Sequence, residues 1–181
     1  FGWRRQPRVR LREWHSTPEF DFLDADHDGY TTRPDPVMHR RRVIFVKPGF
    51  WLLVDDLAGS SRHQIDLTFQ FAPIAVTLQA HPWARAETPK GRVLWVSPFP
   101  SAPAQPAVRC GELAPVRGWI SRDYGERQPA PMLIYSFAVA LPSSPGFVGI
   151  FQLIGQQALV LPFGAKYDTA SALAITLTAH L

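Results

Sequence analysis

Between Asp24 and Val54 the chain reads DADHDGYTTRPDPVMHRRRVIFVKPGFWLLV, and this stretch gathers most of the side chains that could do chemistry. Asp24, Asp26 and Asp28, followed by Gly29, reproduce the D-x-D-x-D-G opening of a calcium loop, with Asp35 at the position where a closing carboxylate is wanted. The flanks argue against helices on either side. Phe20 to Phe22 alternates like a strand, and Pro34 and Pro36 block a helix where the exiting one belongs. The plainer reading is a solvated acidic turn paired with Arg40 to Arg42.

His27 and His39 are the histidines that the intervening residues could bring back together. Two imidazoles near several aspartates could hold Zn²⁺, but their spacing matches no compact zinc motif, and a histidine on a sheet is more often a hydrogen-bonded structural residue. Tyr30 could serve as a phenolic base or a sugar-stacking ring, or simply as a turn or core tyrosine. On a strand, Arg41 shares a side with His39 while Arg40 and Arg42 share the other. A guanidinium pair on one face could bind a sugar acid, and salt bridges to the acidic residues account for the same arginines. His27, Tyr30, His39 and Arg41 are therefore the candidate substrate-binding residues. Asp24, Asp26, Asp28 and Asp35 are candidates for a metal on the calcium-like spacing alone, and no catalytic residue is assigned. The chain has no G-x-S-x-G elbow, Walker loop or Rossmann glycine pattern.

These residues need elements to hold them. Arg8 to Trp14 alternates, with Val9 and Leu11 opposite three arginines, and Phe20 and Phe22 flank Asp21 in a second extended stretch. Val37 to Val46 predicts a strand that begins polar and becomes wholly apolar. Lys47-Pro48-Gly49-Phe50 has the chemistry of a type II turn, which requires a positive φ at Gly49, and FWLLV returns as the partner. Two facing apolar runs predict a hairpin covered on both faces. Arg62 to Phe71 alternates cleanly. Further strands are predicted at Val76 to Gln79, Arg92 to Val96, Val108 to Leu113, Met132 to Val139, Phe147 to Ile154, Ala158 to Leu161 and Leu173 to Thr178, with a loop over Pro98 to Pro106.

With 181 residues and 18 prolines spread along the chain, these short elements predict an all-β fold, an antiparallel β-sandwich of stacked sheets with little helix, forming one domain over residues 1–181. The formal charge of +4 comes from sixteen arginines and only three lysines against 15 acids, which suits a polyanionic partner or a coding bias toward arginine. No long basic run or aromatic RNA-binding motif points to nucleic acid, and no apolar run reaches the ~18 residues of a membrane helix. The single cysteine, Cys110, excludes an internal disulfide and a four-cysteine metal site, and is expected to be a half-buried, unreactive thiol. The opening FGWRRQPR has no hydrophobic signal core and no methionine, so the chain is expected to be a processed or excised piece of a longer protein.

A family resemblance joins these segments. HDGY at His27 to Tyr30, P-V-x-H-R-R-x-V at Pro36 to Val43 and F-x-K-P-G-x-W-L-x-x-D ending at Asp55 resemble the β-sandwich region of bacterial heparinase II/III-like polysaccharide lyases. His63 and the strand to Phe71-Ala72-Pro73 follow in the same order, as do Gly118-Trp119-Ile120-Ser121, Tyr124-Gly125 and Pro129-Ala130-Pro131. The resemblance covers most of Phe1 to Tyr135.

It implies a C-terminal sandwich that follows a helical α/α toroid, in an enzyme that cleaves acidic, uronate-containing polysaccharide by β-elimination in the periplasm or outside the cell. In that family the catalytic tyrosine, histidine and asparagine lie in the toroid, with a further histidine near the start of the β region, where the zinc ligands of metal-binding members also lie. This chain contains no asparagine and no toroid. It is therefore expected to be inactive alone, to need the N-terminal toroid as partner, to carry no cofactor of its own, and to support and shape the substrate cleft. The alternative is a non-catalytic carbohydrate-binding or structural sandwich. Exposed rings in a groove would favour the binding module, and a large apolar face at an edge would favour a missing protein partner.

Overall fold

A computed structural model describes residues 6–80, 82–99, 103–141 and 148–155. In chain order the strands are β1 (Val9–Ser16), β2 (Phe20–His27), β3 (Met38–Val46), β4 (Phe50–Ala58), β5 (Arg62–Gln70), β6 (Ala75–Leu78), β7 (Ala84–Glu87), β8 (Val93–Phe99), β9 (Gln105–Arg109), β10 (Glu112–Leu113), β11 (Val116–Arg117), β12 (Trp119–Ile120), β13 (Gln128–Pro129), β14 (Met132–Ala140) and β15 (Val148–Gly155). No helix occurs among the described residues. An eight-stranded antiparallel sheet runs β1-β2-β3-β4-β15-β8-β7-β6, and a three-stranded sheet runs β5-β14-β9. The all-β, sandwich-like architecture expected from the spacing of short strands is what forms.

The core lies between these two sheets. Leu57, Ala84 and Val96 come from the large sheet, and Leu67, Leu133, Tyr135 and Phe137 from the small one. Burying each large side chain contributes roughly 1.5–3 kcal/mol, which makes this interlayer the main source of stability. The Tyr135 hydroxyl lies 2.8 Å from the Pro82 carbonyl and 3.1 Å from that of Val96, so a polar tie crosses the core from β14 to β8. Burial pushes that phenol well above the ordinary tyrosine pKa.

Several expectations need correction. Asp24 and Asp26 lie inside β2 rather than in a solvated turn, because cross-strand arginines neutralise them and let a polar segment pair as a strand. Gly49 has no positive φ. Its N–H donates to the Val46 carbonyl at 2.8 Å across a cis Lys47-Pro48 bond, so the turn is not type II. The β3–β4 hairpin is only partly covered on both faces: Leu52 and Val54 on one side and Leu57 on the other are buried, whereas Val43 to Val46 are half-exposed.

Pro98 and Phe99 belong to β8 and Gln105 opens β9, which trims the predicted loop. Val108 to Leu113 breaks at Gly111, whose φ is +68°, into the end of β9 and the start of β10. Cys110 is exposed rather than half-buried. The strand β7, read by no alternation of large residues, is held because Ala84 and Ala86 are small enough to bury completely. The strands predicted at 158–161 and 173–178 lie outside the described residues.

Candidate functional site

Pairing in β2, β3 and β4 sorts the charged residues onto two faces. His27 lies opposite His39, and Arg41 opposite Asp55, so these four point toward the small sheet. Asp24, Asp26, Arg40, Arg42 and Asp56 point outward. On that outer face Arg40 forks onto Asp24, Arg10 and Arg12 hold Asp26, and Arg42 Nη2 donates to both oxygens of Asp56 at 2.9 and 2.8 Å. The hydrogen bond from Arg40 holds Asp24 below the usual carboxylate range, and that from Arg10 does the same for Asp26. Burial instead pushes Asp56 upward. Arg42 Nε is buried without a hydrogen-bond partner.

The inner face carries the candidate site. A groove of about 670 Å³ lies between β5 and the inner face of β3 and β4, with His27, Tyr30, Arg33, His39, Arg41 and His63 among its walls. Four candidates from the sequence, His27, Tyr30, His39 and Arg41, therefore converge. At their centre sits Asp55, which is 2% exposed and was singled out only as the end of a motif. Arg41 Nε donates to its Oδ1 at 2.6 Å and Nη2 to its Oδ2 at 2.9 Å, while His39 Nε2 lies 2.7 Å from Oδ1. Burial alone would raise the Asp55 pKa, but the bonds from His39 and Arg41 outweigh it and hold the group below its ordinary value.

The hydrogen bonds fix the tautomers of both histidines. The Gly29 N–H donates to His27 Nδ1 at 3.1 Å, so that nitrogen is an acceptor and the ring carries its proton on Nε2. His27 Nε2 is 2.9 Å from His39 Nδ1, which must then accept, leaving the His39 proton on Nε2 for the ionised Asp55. The result is a one-way chain from Gly29 through two neutral imidazoles to a buried carboxylate. An added proton would break at least one of its links. Burial, and next the neighbouring His39, lowers the His27 pKa accordingly.

Tyr30 stands at the mouth of the groove. It is 49% exposed, with its ring 5.3 Å from that of His27 and 6.3 Å from that of His39. Its carbonyl accepts from the N–H groups of Arg33 and Val37, both at 3.4 Å, which ties down the turn that carries it. At the other wall His63 Nε2 comes within 3.2 Å of Asp35 Oδ2, yet it is misaligned for a hydrogen bond and is otherwise buried without one.

The calcium-like spacing does not produce a calcium-like cluster. Asp24 and Asp26 face outward, Asp28 accepts from the Arg8 N–H at 2.7 Å, and Asp35 sits beside His63 and Ser60. No group of three or more His, Cys, Asp or Glu side chains is arranged for a metal among the described residues. The histidine pair does not fit a zinc site either, because its ring nitrogens and the Asp55 oxygens are turned toward one another and toward Arg41. Sequence reading missed Arg33 and His63 as groove residues and Asp55 as the hub. The available signal was hairpin symmetry, since Asp55 is as far beyond the Lys47–Gly49 turn as Arg41 is before it.

Comparison with known proteins agrees with this architecture. The family described as heparinase II/III-like, C-terminal, matches residues 1–159. No curated protein sequence matches the chain. Among solved structures, the heparinase III BT4657 gene product superposes with a TM-score of 0.64 at 17% identity, covering 81% of this chain and 21% of its own. Heparan sulfate lyase HepC from Pedobacter heparinus gives 0.66 at 15% identity, with coverages of 83% and 22%. The chain thus spans about a fifth of the length of these lyases, and at such identities the likeness shows the fold. With residues 1–159 of its 181 matched, the chain belongs to the heparinase II/III-like C-terminal family.

Proposed function

We propose that this domain is the β-sandwich part of a lyase that cleaves uronate-containing acidic polysaccharide by β-elimination, in the periplasm or outside the cell, and that it supports a helical catalytic domain and shapes one wall of the substrate cleft. The observation that carries the proposal is the convergence of Tyr30, Arg33 and Arg41 on one groove. Asp55 uses two of the five N–H donors of Arg41, which leaves three on a side chain that is 46% exposed. These could pair with a sugar carboxylate or sulfate. The edge strand β1 exposes Val9, Leu11 and Trp14 on the same side, an apolar strip suited to a neighbouring domain. That strip favours the supporting role over a free-standing carbohydrate-binding module.

In the reaction, a base takes the proton on the carbon α to the uronate carboxylate. Its electron pair forms the new C=C bond as the glycosidic C–O bond breaks, and an acid protonates the departing oxygen. A cation near the carboxylate stabilises the charge that builds there. The sandwich supplies positioning: the neutral histidine chain fixes the Tyr30 turn, and Arg41 stays aimed by its fork on Asp55.

The test is to express the polypeptide with whatever is encoded ahead of Phe1, supply heparan sulfate and other uronate polymers, and follow ultraviolet absorbance of the unsaturated product. Product formation with KM raised about tenfold by Tyr30→Ala or Arg33→Ala supports the reading. Absence of unsaturated product from every uronate polymer overturns it.

A further inference from the structure

Most of the segment between β9 and β14 lies outside the core, with Gly118 and Ala130 buried at its base. It forms two short ribbons, β10–β11 and β12–β13, tied at one point where the Gly118 carbonyl accepts from both the Gly111 and the Ala130 N–H at 2.9 Å. Gly118 has a φ of +71°, and a Cβ there would stand 2.5 Å from the Arg109 carbonyl oxygen, so only glycine allows the crossing. Trp119 braces the base of the second ribbon, donating its indole N–H to the Glu112 carbonyl at 2.8 Å.

Beyond that base the chain spends Ser121 to Arg127 on an exposed turn. The turn is ordered by its own bonds: Ser121 Oγ donates to the Asp123 carbonyl at 2.7 Å, and the Glu126 N–H to the same oxygen at 3.3 Å. At its tip Tyr124 is fully exposed, with a relative accessibility of 101%. Such a ring adds nothing to the stability of the domain, and a turn tied by its own hydrogen bonds holds it in water where an external partner can reach it. Arg127 lies over the Trp119 ring at 4.4 Å, and neither Arg122 nor Arg127 has an acidic partner among the described residues. Rings and guanidiniums without an acidic partner among the described residues thus alternate along one ribbon as Trp119, Arg122, Tyr124 and Arg127, with Arg127 seated on Trp119. Ring faces suit the apolar faces of pyranoses, and guanidiniums suit their carboxylates and sulfates.

We propose that the β12–β13 ribbon is a second saccharide contact, separate from the inter-sheet groove, in which Tyr124 stacks on a pyranose ring and Arg122 pairs with an acidic substituent of the same polysaccharide chain. The proposal rests on the acidic-polysaccharide reading above and extends it to a surface on another part of the fold. A protein surface is the competing occupant, since Leu113 and Val116 on the first ribbon are also exposed.

The test titrates the 181-residue chain with size-defined heparan sulfate oligosaccharides and, as control, a neutral oligosaccharide, by calorimetry and by amide shifts at Gly125. Tyr124→Ala and Arg122→Gln should each weaken binding of the acidic oligosaccharide about 3- to 10-fold with an unchanged melting temperature. Wild-type binding that both variants leave intact but Tyr30→Ala weakens overturns the inference and spares the proposed function. Equal binding of the neutral and acidic oligosaccharides overturns the role of Arg122. Self-association in sedimentation that Tyr124→Ala abolishes, with no shift of Gly125 on adding sugar, assigns the ribbon to protein contact and likewise overturns it.

Discussion

Asp55 and Asp56 are adjacent on β4, both nearly inaccessible and both held by arginines from β3, yet their environments push their pKa values in opposite directions. Replacing each with asparagine should therefore have unequal effects. Asp55→Asn removes the charge facing Arg41 and the acceptor of the His39 proton. Breaking a buried pair on one side costs about 3–5 kcal/mol, but the Arg41 side chain is 46% exposed and water recovers part of that, so about 2–3 kcal/mol is expected. For a chain of this size that lowers Tm by roughly 4–12 °C. Asp56→Asn should stay within about 1 kcal/mol, because it removes a desolvated charge whose pairing does not offset its burial.

The acid limb separates the two further. Because the folded pKa of Asp55 is lowered, its stabilisation is present above the unfolded pKa and is lost as pH falls through the folded one. For Asp56 the folded pKa is raised, so its contribution opposes folding at neutral pH and is relieved as pH falls through that value. Urea denaturation at neutral and acidic pH, with m held constant as the check on two-state behaviour, measures both effects. Equal destabilisation by the two substitutions, or an unchanged acid limb in Asp55→Asn, would refute the reasoning.

His27 should titrate below the ordinary histidine range, and nitrogen-15 spectra at neutral pH should show protons on Nε2 of both His27 and His39; an Nδ1 proton on either ring breaks the assigned chain. Because the folded pKa of His27 is lowered, its contribution to stability is full above the unfolded value and declines as pH drops toward the folded one. Tyr135→Phe should cost about 1–2 kcal/mol by removing the hydrogen bonds to the half-buried Pro82 and buried Val96 carbonyls, and a neutral result in thermal melts would mean that water replaces the hydroxyl. Gly118→Ala should cost about 2–4 kcal/mol and loosen the two ribbons, seen as faster hydrogen exchange at Gly111 and Ala130, whereas unchanged exchange there would show that the crossing tolerates a side chain.

The strands were legible wherever alternation was strong: Val9 and Leu11, Ile65 to Phe71, and the assignment of His39 with Arg41 to one face and Arg40 with Arg42 to the other. What misled was local composition. Asp24 and Asp26 look like loop residues because strand propensity counts against aspartate, yet β1 and β3 supply the arginines that make a strand the cheaper state. β7 was invisible because burial selected alanine, which carries no periodic signal of its own. The site was half legible. Residue type singled out His27, Tyr30, His39 and Arg41, which line one groove, whereas Arg33 and His63 reach that groove through a turn and through the opposing sheet, a relation that local spacing does not encode.

The arginine–aspartate pairs also bear on how the large sheet finds its alignment. Alternation of apolar and polar residues penalises a slip of one position between neighbouring strands, because every side chain would change face. It is blind to a slip of two, which keeps the faces intact. Between β3 and β4 such a slip would set Arg41 opposite Leu53 or Leu57 and move it off Asp55, whichever way the strands slid. The inner Arg41–Asp55 pair thus acts as a proofreading mark against even-numbered misalignments, which the hydrophobic pattern alone would let through.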